Sequence, residues 1–283
     1  MIQFANKEIT PLVRQMWKIC FDDTDQFMDL YFSNKYREGN TLVYFEENRP
    51  VASLQMLPYT ITFYGENIPF YYLAGLCTLP EYRKKGYMAQ LIYKSHQLIL
   101  DRGVALSILI PAEDWLYGFY EKYGYEQVFE KGEEPLPSLK DIINTTSGIE
   151  DAYQLFSSLY GTKDFCVQKS FADFKTIIED SKEDDYPAKT NLSAMACIID
   201  PKKLLSIYAR KNTDKTFSIK VDEHIFRVEN GRCSEIAATE SVDFNVDIRL
   251  LCRLLFGYKT GELDEKYKTY FPLHHPVINL MLE

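Results

Sequence analysis

At 283 residues the chain is long enough for one large or two moderate domains, and 46% apolar with 26% charged residues is an ordinary globular composition with material for a core. A formal net charge of −9, from 41 acidic against 32 basic side chains, argues against a nonspecific nucleic-acid binder, whose affinity would come from neutralising phosphates. Six scattered cysteines with no C-x-x-C spacing exclude a zinc-ribbon pattern and a dense disulfide framework, and they fit a reducing cytoplasm.

The first residues, MIQFANKEIT, form no basic-then-apolar leader, and no apolar run approaches about 18 residues, so a soluble cytoplasmic protein without membrane insertion is expected. Ile9, Leu12, Val13, Met16, Trp17 and Cys20 then mark one face of a helix. DDTDQFMDLYFSNKY predicts a second helix capped by Asp23 or Thr24. TLVYFEE, PVASLQMLPYTITFYG and IPFYYLAGLCTL, rich in β-branched and aromatic residues, predict consecutive antiparallel strands. Residues 87–101 follow as a helix, then VALSILIP as a buried strand, AEDWLYGFYEKY as a helix and GYEQVF as a strand. The segment 130–148, with two prolines and weak periodicity, is a linker candidate, and two helices are expected near 149–160 and 170–181. Beyond the polar SKEDDYPAKT come strand LSAMACIID, helix PKKLLSIYAR, and strands TFSIKV, HIFRVE and GRCSEIA, with Glu229-Asn230-Gly231 as a hairpin turn. A helix, DIRLLCRLLFG, and the tail YFPLHHPVINLMLE end the sequence.

One stretch stands apart. LCTLPEYRKKGYMAQLIY, residues 76–93, runs from a strand end through a proline turn and three basic residues to a glycine and a helix. The first amides of a helix have no intrahelical acceptor and, with the helix dipole, favour an anion. Gly86 permits a backbone conformation, or a close approach, that a side chain would obstruct. Arg83, Lys84 and Lys85 add positive charge at the same place. A pyrophosphate suits such a feature, and a solvated basic helix start is the alternative reading.

Pro80-Glu81-Tyr82-Arg83 with Gly86, and later Phe119-Tyr120-x-Lys122-x-Gly124-Tyr125, resemble two signature elements of the GNAT acetyltransferase superfamily over roughly residues 1–130. Met88 stands where the family loop usually has a further glycine. The resemblance implies an α/β (α+β) GNAT fold: a mixed, mostly antiparallel sheet whose central strands splay apart around acetyl-CoA, the acyl donor. Its pantetheine arm would lie along the strand of Leu76, Cys77 and Thr78. Its pyrophosphate would be held by Arg83, Lys84, Lys85 and Gly86, and by the backbone of Tyr87, Met88 and Ala89.

SIKVDEHIFRVENGRC and VDFNVDIRLLCRLLFGYKTG resemble the C-terminal sterol-carrier-like α/β domain of the enhanced-intracellular-survival group, whose loop also lacks the second glycine. The division this implies is a GNAT domain at 1–130, a linker and helical segment at 131–190, and a sterol-carrier-like domain at 191–283. The group's tendency toward assemblies leaves a homo-oligomer open.

By the same resemblance Tyr120 is the acid that protonates the departing coenzyme sulfur. A phenol with pKa near ~10 can serve a thiol near ~8.5. The backbone near Leu76–Thr78 would polarise the thioester carbonyl. The base is Glu283, through its terminal or side-chain carboxylate, or a water chain to Glu113 or Asp114. His96 reads as a packing or surface histidine, and the adjacent His274-His275 pair lacks metal-ligand spacing, so no metal is expected. The resulting expectation is an acetyl-CoA-dependent N-acetyltransferase acting on a primary amine of a small molecule. A protein lysine acetyltransferase and a noncatalytic acyl-CoA or lipid sensor are the alternatives.

Overall fold

The computed structural model describes residues 1–237 and 241–282. The chain opens with strand β1 (Ile2–Phe4) and helices α1 (Thr10–Cys20) and α2 (Asp25–Asn34). A proline at the start of α1 sits where a missing N–H costs nothing, and Val13, Met16 and Trp17 form the buried stripe of that helix. Of the two expected caps for α2, Thr24 is used, its hydroxyl accepting the Phe27 N–H at 3.1 Å. Asp23 instead accepts the Trp17 indole N–H at 2.6 Å.

Strands β2 (Thr41–Glu46), β3 (Arg49–Phe63) and β4 (Glu66–Thr78) follow as an antiparallel meander. Tyr64 and Gly65, both at positive φ, close the β3–β4 hairpin in two residues, the turn that suits the right-handed twist of the strands. Next come helix α3 (Tyr87–Asp101), strand β5 (Leu106–Leu109), helix α4 (Asp114–Glu121) and strand β6 (Glu126–Phe129). A helical insertion carries α5 (Leu139–Asn144), α6 (Ile149–Tyr160), the two-residue strand β7 (Val167–Gln168) and α7 (Phe171–Glu183), and leads to β8 (Ala194–Ile198).

The first sheet runs β1-β2-β3-β4-β5-β8-β6, with β7 on the outer side of β3. Only β4–β5 is parallel. The position of β8 corrects the sequence-based boundary. A C-terminal unit starting at 191 would remove Ala194–Ile198 from this sheet, yet the strand lies between β5 and β6 and pairs with both. All five of its residues are buried, which is what a strand covered on both faces and paired on both edges requires. Strands β1 and β7 were not anticipated, because two or three residues are too few to display alternation.

The remaining elements are α8 (Pro201–Lys211), β9 (Phe217–Val221), β10 (His224–Glu229), β11 (Arg232–Ile236), β12 (Phe244–Val246), α9 (Ile248–Leu255) and α10 (Glu265–Lys268). The second sheet is ordered β11-β10-β9-β12, with β12 parallel to β9. Asn230 and Gly231, both at positive φ, make the expected turn between β10 and β11.

Helices α3 and α4 cover one face of the first sheet. There Leu91, Ile92, Ile99 and Tyr120 meet Leu54, Met56, Leu73, Leu109 and Met195. The other face packs Trp17, Tyr31, Phe156 and Phe174, and this core continues without a break into Leu204, Phe217, Leu251 and Phe256 of the C-terminal part. Cys252 of α9 donates its thiol to the Ala196 carbonyl at 3.5 Å, and Arg249 bridges Glu121 at 3.1 Å and Glu126 at 2.7 Å. The tail is threaded back into the body: the Val167 N–H bonds the Val277 carbonyl at 2.9 Å, and Ile278, Leu280 and Leu282 are buried. No described helix is long and apolar enough to cross a membrane.

Candidate active site

The site is built on the parting of β4 from β5. Their parallel pairing comprises Tyr71 opposite Ser107 and Tyr72 opposite Ile108, and the second half of β4, Leu73–Thr78, has no strand partner on that side among the described residues. The cause lies in β4 itself. Ser53 faces Cys77 while Gln55 faces Ala74, so β4 carries one residue more than β3 over this interval and bulges. Gly75 sits in the bulge at φ +56, and a Cβ there would come within 2.5 Å of the Trp17 ring. Glycine is therefore required twice over, for its conformation and for its lack of bulk. Gln55 is fully buried beside it; its carbonyl accepts the Tyr31 hydroxyl at 3.1 Å and its amide nitrogen has no partner among the described residues. An isolated glycine inside the strand pattern YYLAGLCTL was the signal that could have located this bulge.

The three expected strand residues divide between the faces. Leu76 packs toward the α3–α4 side, and Cys77 is buried on the opposite side with its sulfur 3.2 Å from the Ser53 hydroxyl. The Thr78 carbonyl accepts the Arg83 Nε–H at 3.2 Å and the Cys20 thiol at 3.5 Å. The contact to Cys20, together with burial, pushes the Cys77 thiol up, while the Cys77 contact and Arg83 lower Cys20 to about 7 against the effect of burial.

Past a single 3₁₀ turn at Pro80–Tyr82 the chain reaches the basic loop. Lys84 at φ +64 and Gly86 at φ +80 turn it into α3, with Gly86 as the residue before the first helical turn. A Cβ on Gly86 would meet nothing within 4 Å, so the glycine serves conformation here and not close packing. The cations are held differently from one another. Arg83 is tied to the Thr78 carbonyl, and Lys84 is exposed with no ion pair among the described residues. Lys85 lies 3.5 Å from a Glu46 oxygen and 4.7 Å from the centre of the Tyr82 ring. Glu46 also accepts the Tyr87 hydroxyl, which raises that phenol to about 12, and Tyr87 stacks on Tyr44 at 4.4 Å. No sequence pattern had pointed to Glu46. Met88 packs into the α3–α4 core, so its side chain is turned into the protein interior, and Ala89 is half-buried beside it.

Tyr120 projects from α4 into the same core and is 6% exposed. Burial holds its pKa well above the usual phenol value, so it keeps its proton. Its ring is 5.2 Å from Phe119 and 6.0 Å from Tyr125, centre to centre. Tyr125 is tied up in the interior, its hydroxyl 2.7 Å from Ser107 Oγ and 3.2 Å from His96 Nε2. Burial lowers His96 to about 4, so it is a neutral packing histidine. Glu113 and Asp114 are exposed at the start of α4, and Glu113 accepts the Trp115 indole N–H at 2.8 Å. Glu283 lies outside the described residues. His274 stacks on Phe165 at 4.3 Å, and no cluster of three potential metal ligands occurs among the described residues.

No curated protein sequence matches the chain. Several solved structures share its fold over nearly its whole length. A GCN5-related N-acetyltransferase from Kribbella flavida aligns with a TM-score of 0.73 at 13% identity, covering 98% of this chain and 96% of its own. A probable N-acyltransferase from Enterococcus faecalis aligns at 0.68 and 12%, covering 98% of each chain. Eis1 from Mycobacterium abscessus aligns at 0.64 and 10%, covering 99% of each. The family model described as an acetyltransferase (GNAT) domain matches residues 2–128, the stretch that carries the bulged strand, the basic loop and Tyr120. Residues 2–128 of this chain are a GNAT acetyltransferase domain.

Proposed function

We propose that the chain transfers the acetyl group of acetyl-CoA to a primary amine, most simply that of a small molecule, within a ternary complex. The observation that carries this reading is the gap beside Leu73–Thr78, opening onto a helix start fronted by Arg83, Lys84 and Lys85. A pantetheine arm has amide groups at strand-like spacing and can pair with an unoccupied strand edge as a peptide does. The pyrophosphate then falls at the α3 N-terminus, where the amides of Tyr87, Met88 and Ala89 and the loop cations meet it.

In the reaction the amine nitrogen attacks the thioester carbonyl carbon, the oxyanion is met by β4 backbone N–H groups, and the C–S bond then breaks. Tyr120 donates its proton to the leaving sulfur and recovers one from solvent. Burial raises the Tyr120 phenol, but it also raises a thiol: Cys197, buried in the same region, is pushed up to about 12. A thiolate leaving in equally buried surroundings is raised in the same direction, which keeps a protonated Tyr120 a competent donor. The base that takes the amine proton is Glu283, which lies outside the described residues, or a water chain to Glu113 or Asp114, both exposed at the start of α4.

The test is thiol release from acetyl-CoA over a panel of small amines, lysine peptides and buffer alone. Turnover is expected with a small amine, and Tyr120→Phe should lower it by about 100-fold, the scale of one general acid, with coenzyme affinity within about twofold of wild type. Tight coenzyme binding with no turnover on any acceptor would replace the enzyme reading with a sensor.

A further inference from the structure

Away from the coenzyme gap, the outer edge of β3 has a notch. Strand β2 pairs with β3 as far as Thr41–Gln55, and β7 takes up the same edge at Thr60–Gln168. Between them Leu57, Pro58 and Tyr59 form the floor of an open cavity of about 580 Å³. Its walls are the end of α2 with Lys35 and Arg37, Pro69 of β4, and the segment Lys169–Asp173 entering α7. The notch is two strands from the β4–β5 gap, so it is separate from the coenzyme site.

In a protein of net charge −9 this cavity is cationic: Lys35, Arg37 and Lys169 face one carboxylate, Asp173. That carboxylate is fully engaged. It pairs with Lys35 and accepts the Ser170 hydroxyl at 2.6 Å and the Ser170 N–H at 3.0 Å. Arg37 is turned onto its own segment, bonding the Tyr36 carbonyl at 2.6 Å and the Asn34 carbonyl at 2.9 Å. Lys169 is different. It is 6% exposed, forms no ion pair among the described residues, and has one long bond to the Val167 carbonyl at 3.4 Å. The ammonium also lies 5.9 Å from the centre of the Tyr59 ring, on which Lys35 sits at 4.3 Å.

A buried ammonium with a single weak acceptor is costly unless something else neutralises it. Burial lowers the Lys169 pKa to about 8, with Lys35 acting in the same direction and Cys166 and Asp173 opposing, so the group is still mostly charged at pH 7. One unpaired ammonium calls for one negative charge. Inorganic phosphate would bring further oxygens that Arg37, already committed, is not placed to meet. Pro58, Tyr59, Pro69 and Ala172 offer apolar surface for the rest of a ligand. We propose that this cavity binds a small organic carboxylate, its anionic end on Lys169 and its apolar body on Pro58, Tyr59 and Pro69. The site stands independently of the acetyl-transfer reading.

Benzoate is a suitable probe for the full chain, by calorimetry and by amide NMR. Binding on the order of 1 mM or tighter is expected, the range open to a fragment of this size. Shifts should be confined to the amides of Lys35, Tyr59 and Lys169–Asp173. Lys169→Met keeps the stem and removes the charge, and should weaken benzoate at least tenfold. The shift map uses wild-type protein and decides the matter should that variant not fold. Absence of those shifts, or equal benzoate affinity in a folded Lys169→Met variant, would overturn the site. Inorganic phosphate displacing benzoate at equal concentration would overturn the carboxylate assignment.

Discussion

Glu46 sits at the place where the proposed coenzyme needs positive charge. Its carboxylate takes both the Lys85 ammonium and the Tyr87 hydroxyl, so in the unliganded protein one of the three loop cations is already half-neutralised. A pyrophosphate arriving at the α3 N-terminus competes with Glu46 for Lys85 and is repelled by it. The pair is partly exposed, so solvent screens both effects, and a severalfold change is the scale to expect. Glu46→Gln should therefore tighten coenzyme A binding about threefold to tenfold in a calorimetric titration at low salt, with the gain shrinking as salt rises. Weaker binding would mean that Glu46 organises the loop and does not oppose the ligand. At this scale part of the candidate site was legible in the sequence. Arg83 and Gly86 announce themselves by short spacing within one motif, and Tyr120 within a second. Glu46 does not, because its partners lie 39 and 41 positions away and only the sheet brings them together. Gly75 was visible as a residue out of place in a strand, but the Trp17 ring that makes it indispensable comes from another helix.

Elements long enough to show their period were foreseen, as were the pairings made through short turns, and the long-range pairing of β8 was not. Helix α3 has an apolar stripe at Leu91, Ile92 and Ile99 ended by Gly103, and strands β3 and β4 are runs of β-branched and aromatic residues bounded by turns. For β8, the local run LSAMACIID says strand and nothing about which sheet. An all-buried strand fits any two-sided core, and the polar break before it looked like a domain boundary. The consequence is physical. Strand β6 hydrogen-bonds within the sheet only to β8, and β5 has β8 along one whole edge. A fragment of residues 1–130 lacks β8, α9 and the buried tail, and so exposes the Leu106–Leu109 edge and the apolar faces of β5 and β6. We expect that fragment to be insoluble or to give a collapsed amide NMR spectrum, and the full chain to give a dispersed one. A well-dispersed spectrum from 1–130 would restore the shorter boundary. Unpaired edges of this kind are aggregation templates, which sets the direction of the prediction.

For the whole molecule, burial of aromatic and titratable side chains in one continuous core dictates how stability responds to pH. Tyr31, Tyr59, Tyr64 and Tyr125 are held protonated by burial, with folded pKa values above the ordinary value of 10.0. In the unfolded chain they ionise near 10, so above that pH the unfolded state releases protons that the folded state keeps, and stability falls as pH rises. At the acid end His96 is lowered by burial to about 4 from 6.5. Between those values the unfolded chain binds a proton that the folded one refuses, so stability is present above 6.5 and is lost as pH falls toward 4. The urea midpoint of the full chain should accordingly form a plateau from roughly pH 7 to 9.5 and decline on both sides. Replacing His96 by Gln, which can still bond the Tyr125 hydroxyl but cannot titrate, should flatten the acid limb between 6.5 and 4 and leave the alkaline limb unchanged. An acid limb of the same slope between 6.5 and 4 in that variant would overturn the assignment to His96. Carboxylate pairs such as Asp173 with Lys35 lose their contribution only at lower pH, as the depressed Asp173 carboxyl takes up its proton, and so the two causes separate along the pH axis.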